Sequence, residues 1–421
     1  MTVNGSDVRP VVVQKYGGSS LADAEHIHNV AARIQLRRDD GVDVIVVVSA
    51  MGDSTDELIS LSEAVTGDTQ PDAREMDTLL STGELVSSTL MAMALKARGC
   101  DSISLSGIQA GIKTDAVHGS ARIADINTDR IRTELDKGRI VIVAGFQGLA
   151  ESGDITTLGR GGSDTTAVAL SAALGAERCD IYTDVEGIYT ADPRVVPEAR
   201  KLSEVGYEEM LELASYGAKM HPRSIELGAV YQVPIYVASS FTDVPGTLIH
   251  HSSDVQKMEN RIKVTGIATQ ANVAKITVRA VPDRPGIAAA LFEPLAKVGI
   301  SVDTIVQNTS AERTTDISFT VSRADLPRAL IEVESLKGLL GSTGVFSDPT
   351  LATVSVVGSG MQNTPGYASR MFRILADGNV NIDMITTSEI RISCIVKEEQ
   401  AAEAVRLLHR GFQLDEPESV D

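Results

Sequence analysis

The sequence lacks tryptophan and has only three cysteines, and aromatic residues make up 4% of its 421 positions. Cys100, Cys179 and Cys394 are far apart and form no C-x-x-C pair, which argues against a disulfide framework and a cysteine-based zinc site. We expect the three thiols to be reduced and mostly buried. The histidines show no ligand spacing either, since His26 and His28 point to different faces of a helix. We therefore predict no metal cage of protein side chains.

Basic residues are too few for a protein whose main partner is a polyanion. Lysine and arginine total 38 against 57 aspartate and glutamate residues, which gives a net charge of -19. This balance argues against a nucleic acid or an anionic membrane as the partner. No uninterrupted apolar run reaches the roughly 18 residues that a membrane span requires, and the N-terminus carries no apolar signal core. We predict a soluble, cytoplasmic protein in which any anion-binding site is a local exception.

The length predicts two or three domains. From residue 10 to about 250, short apolar strands such as VDVIVVVSA alternate with helical patterns. This alternation is typical of a three-layer α/β domain with a mostly parallel sheet covered on both faces. We place this domain at residues 1–250 and a polar linker at 251–263. Four glycines follow helix-like runs and are expected to end them in a left-handed conformation: Gly41, Gly99, Gly138 and Gly175.

The rest of the sequence repeats itself at an offset of 80 residues. A Pro-Gly turn at 285–286 recurs at 365–366, and Asp303 recurs as Asp383. Each copy predicts the order strand, helix, strand, strand, helix, which is a ferredoxin-like arrangement. A pair of effector-binding modules is the favoured interpretation. The two modules are placed at residues 264–342 and 343–421.

The segment VVVQKYGGSS, residues 11–20, ends an apolar strand with a lysine and two glycines. A glycine-rich turn lets backbone N–H groups converge on an anion, although glycine also marks ordinary tight turns. Lys15 favours the anion, because a lysine at the end of a buried strand is costly unless it meets a negative charge. Ligands of open α/β sheets bind at this carboxyl edge.

A second glycine-rich stretch, TLGRGGSDTTA, opens an apolar helix. Ser163 or Asp164 is expected to cap this helix, so that Gly161 and Gly162 lie just before its positive end. Arg160 beside them can bind a carboxylate through two hydrogen bonds, and a surface arginine next to a helix cap is the alternative. The sequence contains neither a Walker loop nor a dinucleotide fingerprint, so a phosphate site here is not that of a P-loop enzyme.

The order of the motifs resembles that of the aspartate kinases of the amino acid kinase superfamily. The motifs are KYGGSS, VVVSAMGDSTDEL, STGE, VAGFQG, TTLGRGGSDTTA, YTDVEGIYTADPR and LASYGAKMHPRSIE. The C-terminal repeat resembles the tandem ACT domains of that family, so the resemblance covers nearly the whole chain. It implies transfer of the γ-phosphoryl group of MgATP to the side-chain carboxylate of L-aspartate. The product, 4-phospho-L-aspartate, leads to lysine, threonine, methionine and diaminopimelate.

The resemblance also implies roles for individual residues. Lys15 stabilises the transferring phosphoryl group, and Asp164 orients that lysine or the substrate ammonium. Arg160 binds the substrate α-carboxylate and Glu84 binds its ammonium, although an exposed helix carboxylate is the alternative for Glu84. The further substrate-binding positions implied are Ser49, Thr55, Gly161, Gly162 and Ser163. The nucleotide-binding positions implied are Lys15, Tyr16, Gly17, Gly18, Ser19, Tyr182, Thr183, Asp184, Ile188, Tyr189, Thr190, Ala191, Asp192, Pro193, Arg194 and Lys219.

The sequence departs from the family pattern in one place. Only Met220 separates Lys219 from His221, whereas two apolar residues usually stand there in the family, and this puts the direction of Lys219 in question. A surface lysine at a helix end is the alternative for this residue. The magnesium ion is expected on phosphate oxygens and water rather than on a protein cage.

The ACT pair of the family binds end-product amino acids that inhibit the enzyme. Lysine, threonine or both together are the effectors implied here. ACT edge strands commonly pair between subunits, so we expect a homodimer or a larger assembly, with Met258 as a possible internal start of a separate regulatory subunit.

The rival functions are another carboxylate kinase, such as one acting on glutamate, and a catalytically inactive amino acid sensor. For Asp303 and Asp383 a simple turn role is the alternative. The effector-binding positions implied are Asp283, Gly286, Ile287, Ala288, Ser301, Val302, Asp303, Gln307, Asn381, Ile382, Ser388 and Glu389.

Overall fold

The computed structural model describes residues 9–67, 69–217, 220–251, 264–309, 314–361 and 364–416. Lys219, Met258 and most of the predicted linker lie outside these ranges. The chain folds into two compact units. The first unit comprises Met1–Ile188 and Lys201–Glu259, and the second comprises Tyr189–Arg200 and Asn260–Asp421.

The first unit is an α/β unit with two sheets among the described residues. Its strands are β1 (Val11–Tyr16), β2 (Asp43–Val48), β3 (Ser102–Leu105), β4 (Ile112–Thr114), β5 (Ile123–Ile126), β6 (Ile140–Ala144), β7 (Gln147–Ala150), β8 (Ile155–Thr157), β9 (Arg178–Thr183), β10 (Glu204–Gly206), β11 (Ile235–Ser239) and β12 (Thr247–His250). An eight-stranded sheet has the order β10-β12-β11-β9-β1-β2-β6-β3, and a four-stranded sheet has the order β5-β4-β7-β8. Its helices are α1 (Ala24–Asp39), α2 (Ser54–Thr66), α3 (Ala73–Ala97), α4 (Asp129–Asp136), α5 (Gly162–Leu174), α6 (Tyr207–Ser215) and α7 (Pro222–Tyr231).

Helices cover both faces of the larger sheet, which explains why its central strands are apolar without alternation. β1 pairs in parallel with β2 on one side and with β9 on the other. Val12 and Tyr16 lie in a core shared with α1 and α3. Val13 and Lys15 point to the opposite face, where α5 packs on β1, β2 and β9. Lys15 is therefore directed towards the first turn of α5. It lies at the carboxyl edge of the sheet, where β1 has β2 on one side and the much later strand β9 on the other. Ligands of open α/β sheets bind at such a position.

Helix α3 is long and apolar enough to cross a membrane by length and composition alone, and half of its most apolar window is buried within the protein. Asp77 and Glu84 are both buried on this helix. The helix packs on β3, β6 and β8. We interpret α3 as a core helix of the first unit.

The second unit contains a six-stranded antiparallel sheet among the described residues, in the order β14-β15-β13-β16-β18-β17. Its strands are β13 (Gly266–Pro282), β14 (Ile305–Thr309), β15 (Thr314–Ser322), β16 (Gly344–Val357), β17 (Met384–Thr387) and β18 (Arg391–Lys397). Its helices are α8 (Ile287–Lys297), α9 (Leu326–Ser335), α10 (Lys337–Leu340), α11 (Tyr367–Asp377) and α12 (Glu398–Gly411). Gly286 and Gly366 precede α8 and α11 with φ angles of 90° and 109°. Glycine adopts this left-handed conformation without strain. Both helices therefore begin in the same way, and the repeat in the sequence corresponds to a repeat in the structure.

The two modules share their central strands. Gly266 to Gln270 at the start of β13 pair with the second half of β16, whereas Val273 to Pro282 pair with β15. Val264 and Ile267 lie in one apolar core with residues of α11 and α12. Residues at the beginning of the first module thus complete the core of the second, a feature that the repeat in the sequence did not reveal.

Candidate active site

A cavity of about 800 Å³ opens in the first unit where β1 and β2 end. Side chains or backbone from the glycine-rich turn, α2, α3 and the start of α5 line it. The predicted residues that line this cavity are Lys15, Gly17, Gly18, Ser49, Thr55, Glu84, Arg160, Gly161, Gly162, Ser163 and Asp164. The whole predicted substrate-binding set therefore meets in one place.

Lys15 forms an ion pair with Asp164 at the carboxyl edge of β1. The Lys15 Nζ atom lies 2.6 Å from Asp164 Oδ1, and the two side chains are 11% and 13% exposed. The opposite charge offsets the cost of removing the ammonium group from water. Asp164 thereby holds Lys15 in a fixed position in the cavity wall.

The glycines after β1 allow the chain to approach its neighbours closely. A Cβ atom on Gly18 would lie 2.8 Å from the carbonyl oxygen of Ala50, which no side chain tolerates without movement. Gly52 donates a backbone hydrogen bond of 3.0 Å to the Gly18 carbonyl, and Gly17 donates one of 3.3 Å to the Tyr182 carbonyl at the end of β9. The turn is thus fixed between the ends of β2 and β9.

Glu84 is a buried carboxyl group, not the exposed helix residue that was the alternative interpretation. It is 4% exposed, and its Oε1 atom accepts a hydrogen bond of 3.1 Å from the Ala50 backbone N–H. Its Oε2 atom has no hydrogen-bond partner among the described residues. Burial raises the pKa of Glu84 to about 7, against the lowering effect of the backbone hydrogen bonds. A cationic group of a ligand in the cavity would supply the missing partner and favour the ionised form.

The start of α5 differs from the predicted cap. The N-cap residue is Gly161, with a φ of 70° and no side-chain cap, and Ser163 and Asp164 lie inside the first turn. Asp164 is drawn to Lys15 instead of to the helix terminus. A Cβ atom on Gly161 would lie 2.5 Å from the side chain of His221, so this left-handed position also requires glycine for space. Arg160 stands exposed beside it and lines the cavity.

Several predicted nucleotide-binding residues lie elsewhere. The Tyr16 ring is fully buried on the opposite face of the sheet, stacked on Tyr182 with ring centroids 4.9 Å apart, so only its backbone could face a ligand at the edge. Ile188 is buried and its N–H donates a hydrogen bond of 2.9 Å to Thr247 Oγ1. Ser19, Tyr182, Thr183 and Asp184 do not line the cavity.

Residues 189–194 of the predicted nucleotide set belong to the second unit. There the Thr190 hydroxyl lies 2.9 Å from His409 Nε2 of α12, and Ala191 is part of the apolar core that contains α11 and α12. Asp192 and Arg194 form an ion pair of 2.6 Å. The motif YTDVEGIYTADPR is therefore divided between the two units, which the sequence did not indicate.

Sequence reasoning missed several cavity residues. Phe146 lines the cavity with a φ of 71°, an uncommon conformation for a side chain of its size. Ile59 and Glu63 of α2 and Asp77 of α3 line it as well. Asp77 lies seven residues before Glu84, a spacing that returns to the same face of a helix, and this was the one signal that could have found it. No group of three or more metal-ligating side chains occurs among the described residues.

The predicted effector residues all lie in the second unit. Gly286 and Ile287 begin α8. Asp303 and Asp383 occupy equivalent positions, since their N–H groups donate to the carbonyls of Thr320 and Ile395 at 3.1 and 2.8 Å. The Asp383 carboxylate also pairs with Lys275 Nζ at 2.6 Å, so it has a role beyond a turn.

Comparison with known proteins finds one family in the N-terminal part of the chain and another in the C-terminal part. Residues 10–239 match the amino acid kinase family, and residues 274–338 and 354–412 each match an ACT domain. An aspartokinase of Corynebacterium efficiens is 50% identical over 408 residues, which cover 96% of each chain. E. coli aspartokinase III with aspartate and ADP in the R-state is 28% identical, with a TM-score of 0.80 over 95% of this chain and 99% of that chain. The same enzyme with lysine and aspartate in the T-state, also 28% identical, has a TM-score of 0.73 over 96% and 99%.

The fold and the cavity thus define an amino acid kinase followed by a pair of ACT domains. Within that class, the chain belongs to the aspartokinase family. It is an ATP-dependent phosphotransferase whose acceptor is a carboxyl group. The family, the fold class and the activity predicted from the sequence are confirmed.

Proposed function

We propose that the cavity binds L-aspartate and the terminal phosphate of ATP, and that Lys15 stabilises the phosphoryl group as it moves to the β-carboxylate. The observation that carries this proposal is that three groups line a single cavity: an ammonium group fixed by an ion pair, an exposed guanidinium group and a buried carboxyl group. These groups are Lys15, Arg160 and Glu84. Their charges are opposite to those of the substrate groups they would bind, which are the phosphoryl group, the α-carboxylate and the ammonium group, in that order.

This reaction needs positioning more than it needs acid–base chemistry. The aspartate side chain has an ordinary pKa near 3.9, so the nucleophile is ionised at neutral pH and no general base is required. The obstacle is the repulsion between a carboxylate and a triphosphate. A fixed ammonium group and the backbone N–H group of Gly18 would reduce that repulsion. The Gly17 N–H is already donated to the Tyr182 carbonyl, and Ser19 lies outside the cavity lining. Arg160 and Glu84 would fix the amino acid by its two other charged groups.

The nucleotide is proposed to enter with Mg²⁺ on its phosphate oxygens and on water, since this ion usually keeps several waters and binds few protein ligands. ADP accompanies aspartate in the E. coli relative, which supports ATP as the phosphoryl donor. The predicted nucleotide contacts of Tyr182, Thr183 and Asp184 stay a proposal. They are supported by the hydrogen bond that joins the end of β9 to Gly17.

A coupled assay of ADP release tests this function. We expect ADP release that depends on aspartate, with little activity on glutamate and none without an amino acid. A preference for glutamate would assign the chain to another carboxylate kinase. No release with any acceptor, in the presence of bound amino acid, would indicate an inactive sensor.

The pKa of Glu84 predicts how aspartate affinity depends on pH. Only the ionised carboxylate attracts the substrate ammonium, and its pKa is raised to about 7. As the pH is lowered through this value, the ionised fraction of Glu84 falls. The KM for aspartate should therefore be about ten times higher at pH 6 than at pH 8. The Glu84→Gln variant should have a higher KM that no longer changes over this range. A wild-type KM that is constant from pH 6 to pH 8 would contradict the role of Glu84.

Regulation is proposed to act through the ACT pair, with lysine, threonine or both as the effector. The lysine-bound T-state of the E. coli relative supports an amino acid effector. We expect Asp303→Ala to weaken inhibition at least tenfold, because the effector ammonium would lose its carboxylate partner, while the rate without effector changes less than twofold. Titration with lysine and threonine, singly and jointly, measures this. The control is Asp377→Ala, which removes an exposed carboxylate of α11. Equal inhibition of both variants and the wild type would remove Asp303 from the effector site.

The assembly is proposed to be a homodimer or larger, formed through ACT edge strands. β14 lies at one edge of its sheet, and Ile305 on it is 53% exposed. Unpaired edge strands of this kind favour pairing with another chain. Sedimentation at micromolar concentration should give at least twice the mass of the 44.6 kDa chain, and a monomer would contradict the proposal. A cytoplasmic location and a separate regulatory subunit starting at Met258 stay predictions.

A further inference from the structure

Asp77 is a buried carboxylate in the cavity wall that has no part in the proposed mechanism. It is 1% exposed and lies on α3 among the cavity residues. Its two oxygens accept hydrogen bonds of 3.0 and 3.1 Å from the Gly119 N–H, and Oδ1 accepts one of 2.5 Å from Thr157 Oγ1. Its Oδ2 atom also lies 2.7 Å from His118 Nδ1. A buried carboxylate is costly unless hydrogen bonds compensate it, and this one has partners on two separate segments.

These two segments flank the loop that carries Arg160. Thr157 is the last residue of β8 and is three residues before Arg160. Gly119 lies between β4 and β5, and a Cβ atom on Gly159 would be only 2.9 Å from the Gly119 carbonyl oxygen. The Ala121 N–H donates a hydrogen bond of 2.9 Å to the Thr157 carbonyl, which joins the segments to each other. Asp77 therefore connects α3 to both supports of the arginine loop.

Arg223 of α7 holds the same region from another direction. Its Nη1 and Nη2 atoms donate hydrogen bonds of 2.8 Å to the Leu158 carbonyl and 3.0 Å to the Ala121 carbonyl. The side chain of Arg160, by contrast, is exposed and forms no hydrogen bond or ion pair with the described residues. The position of its guanidinium group thus depends on the backbone beneath it.

We propose that Asp77 is a positioning residue for Arg160: by tying Gly119 and Thr157 to α3, it sets the distance between the arginine loop and Glu84 on the same helix. The inference rests on the proposed function, in which Arg160 and Glu84 bind opposite ends of one amino acid. A displacement of about 1 Å between two such groups is enough to reduce activity about a hundredfold. Asp77 acts through Arg160 and does not itself touch the substrate.

The test compares Asp77→Asn with the wild type in the full chain. Asparagine keeps the shape but has one acceptor oxygen in place of two. We expect the KM for aspartate to rise between ten- and a hundredfold, while the KM for ATP, kcat and the melting temperature stay close to those of the wild type. The matched control is Asp154→Asn, which removes a carboxylate that pairs with Arg74 of the same helix at 3.0 Å but lies outside the cavity. This control should leave the KM for aspartate unchanged.

A double variant shows whether Asp77 acts through Arg160. If it does, Asp77→Asn in the Arg160→Ala background should add less than a twofold change in the KM for aspartate. Additive effects would overturn the proposal, and so would an equal rise in both KM values with a lower melting temperature. Thr157→Val removes a single donor and should give a smaller rise in the KM for aspartate, even if Asp77→Asn does not fold; an unchanged KM for Thr157→Val would count against the proposal. Absence of aspartate-dependent ADP release from the wild type would instead refute the proposed function.

Discussion

Replacement of Lys15 by alanine is expected to lower kcat by about three orders of magnitude. The ammonium group is the one buried cation in the described cavity wall, and charged groups that contact a transferring phosphoryl group contribute about 10³- to 10⁵-fold. The KM for aspartate should change much less, because Arg160 and Glu84 remain. The coupled ADP-release assay measures both constants. A kcat within tenfold of the wild-type value would remove Lys15 from the chemistry.

The control for this variant also changes Asp164, because Asp164 is the ion-pair partner of Lys15. Loss of Lys15 leaves a carboxylate of 13% exposure without its cation, which destabilises the fold by itself. The double variant Lys15→Met with Asp164→Asn replaces the ion pair with neutral groups of similar size. We expect it to restore the melting temperature but not the rate. Recovery of activity in the double variant would mean that the single variant failed through misfolding.

Replacement of Arg160 by alanine is expected to raise the KM for aspartate about a hundredfold and to leave the KM for ATP unchanged. Two charge-assisted hydrogen bonds to a carboxylate contribute about 3 kcal/mol, and 1.4 kcal/mol corresponds to a factor of ten. Arg160→Lys should recover only part of the loss, because an ammonium group cannot bind a carboxylate as a planar fork. The measurement is a pair of substrate titrations by initial rate.

An exposed arginine outside the cavity provides the control for Arg160. Arg122 lies just before β5 and does not line the cavity, so Arg122→Ala should leave both KM values unchanged. An increase in the KM for ATP with an unchanged KM for aspartate would place Arg160 on the nucleotide side and contradict its proposed role.

Much of the fold could be predicted because its signals are local. The glycines at 41, 99, 138 and 175 each follow a helix with a positive φ, between 67° and 87°. Each ends its helix as the sequence predicted, since glycine alone adopts this conformation without strain. The internal repeat was visible because the Pro-Gly turns determine the same helix start in both modules.

The burial of Glu84 could not be predicted from its helix. α3 is buried on more than one side, and Gly83 allows it to approach the end of β2 so closely that a Cβ atom there would lie 2.8 Å from Ala50 Cβ. The role of Asp77 depends on two segments far away in the sequence. Neither arrangement leaves a periodic signal, because both arise from tertiary contacts.

The second unit shows the same limit. Nothing local to YTADPRVV indicates that Ala191 and Val196 pack in a core with residues of α12. The sharing of β13 by both ACT modules was equally hidden, since each half of the strand resembles an ordinary module strand. Local patterns predict elements, whereas the partners of each element depend on the whole chain.

The most direct test is a crystal structure with L-aspartate and a non-hydrolysable ATP analogue bound together. The account predicts that an oxygen of the terminal phosphate lies about 3 Å from Lys15 Nζ, with the aspartate β-carboxylate in line and its α-carboxylate on Arg160. A terminal phosphate far from Lys15, with the Lys15–Asp164 ion pair unchanged and the amino acid bound elsewhere, would contradict it.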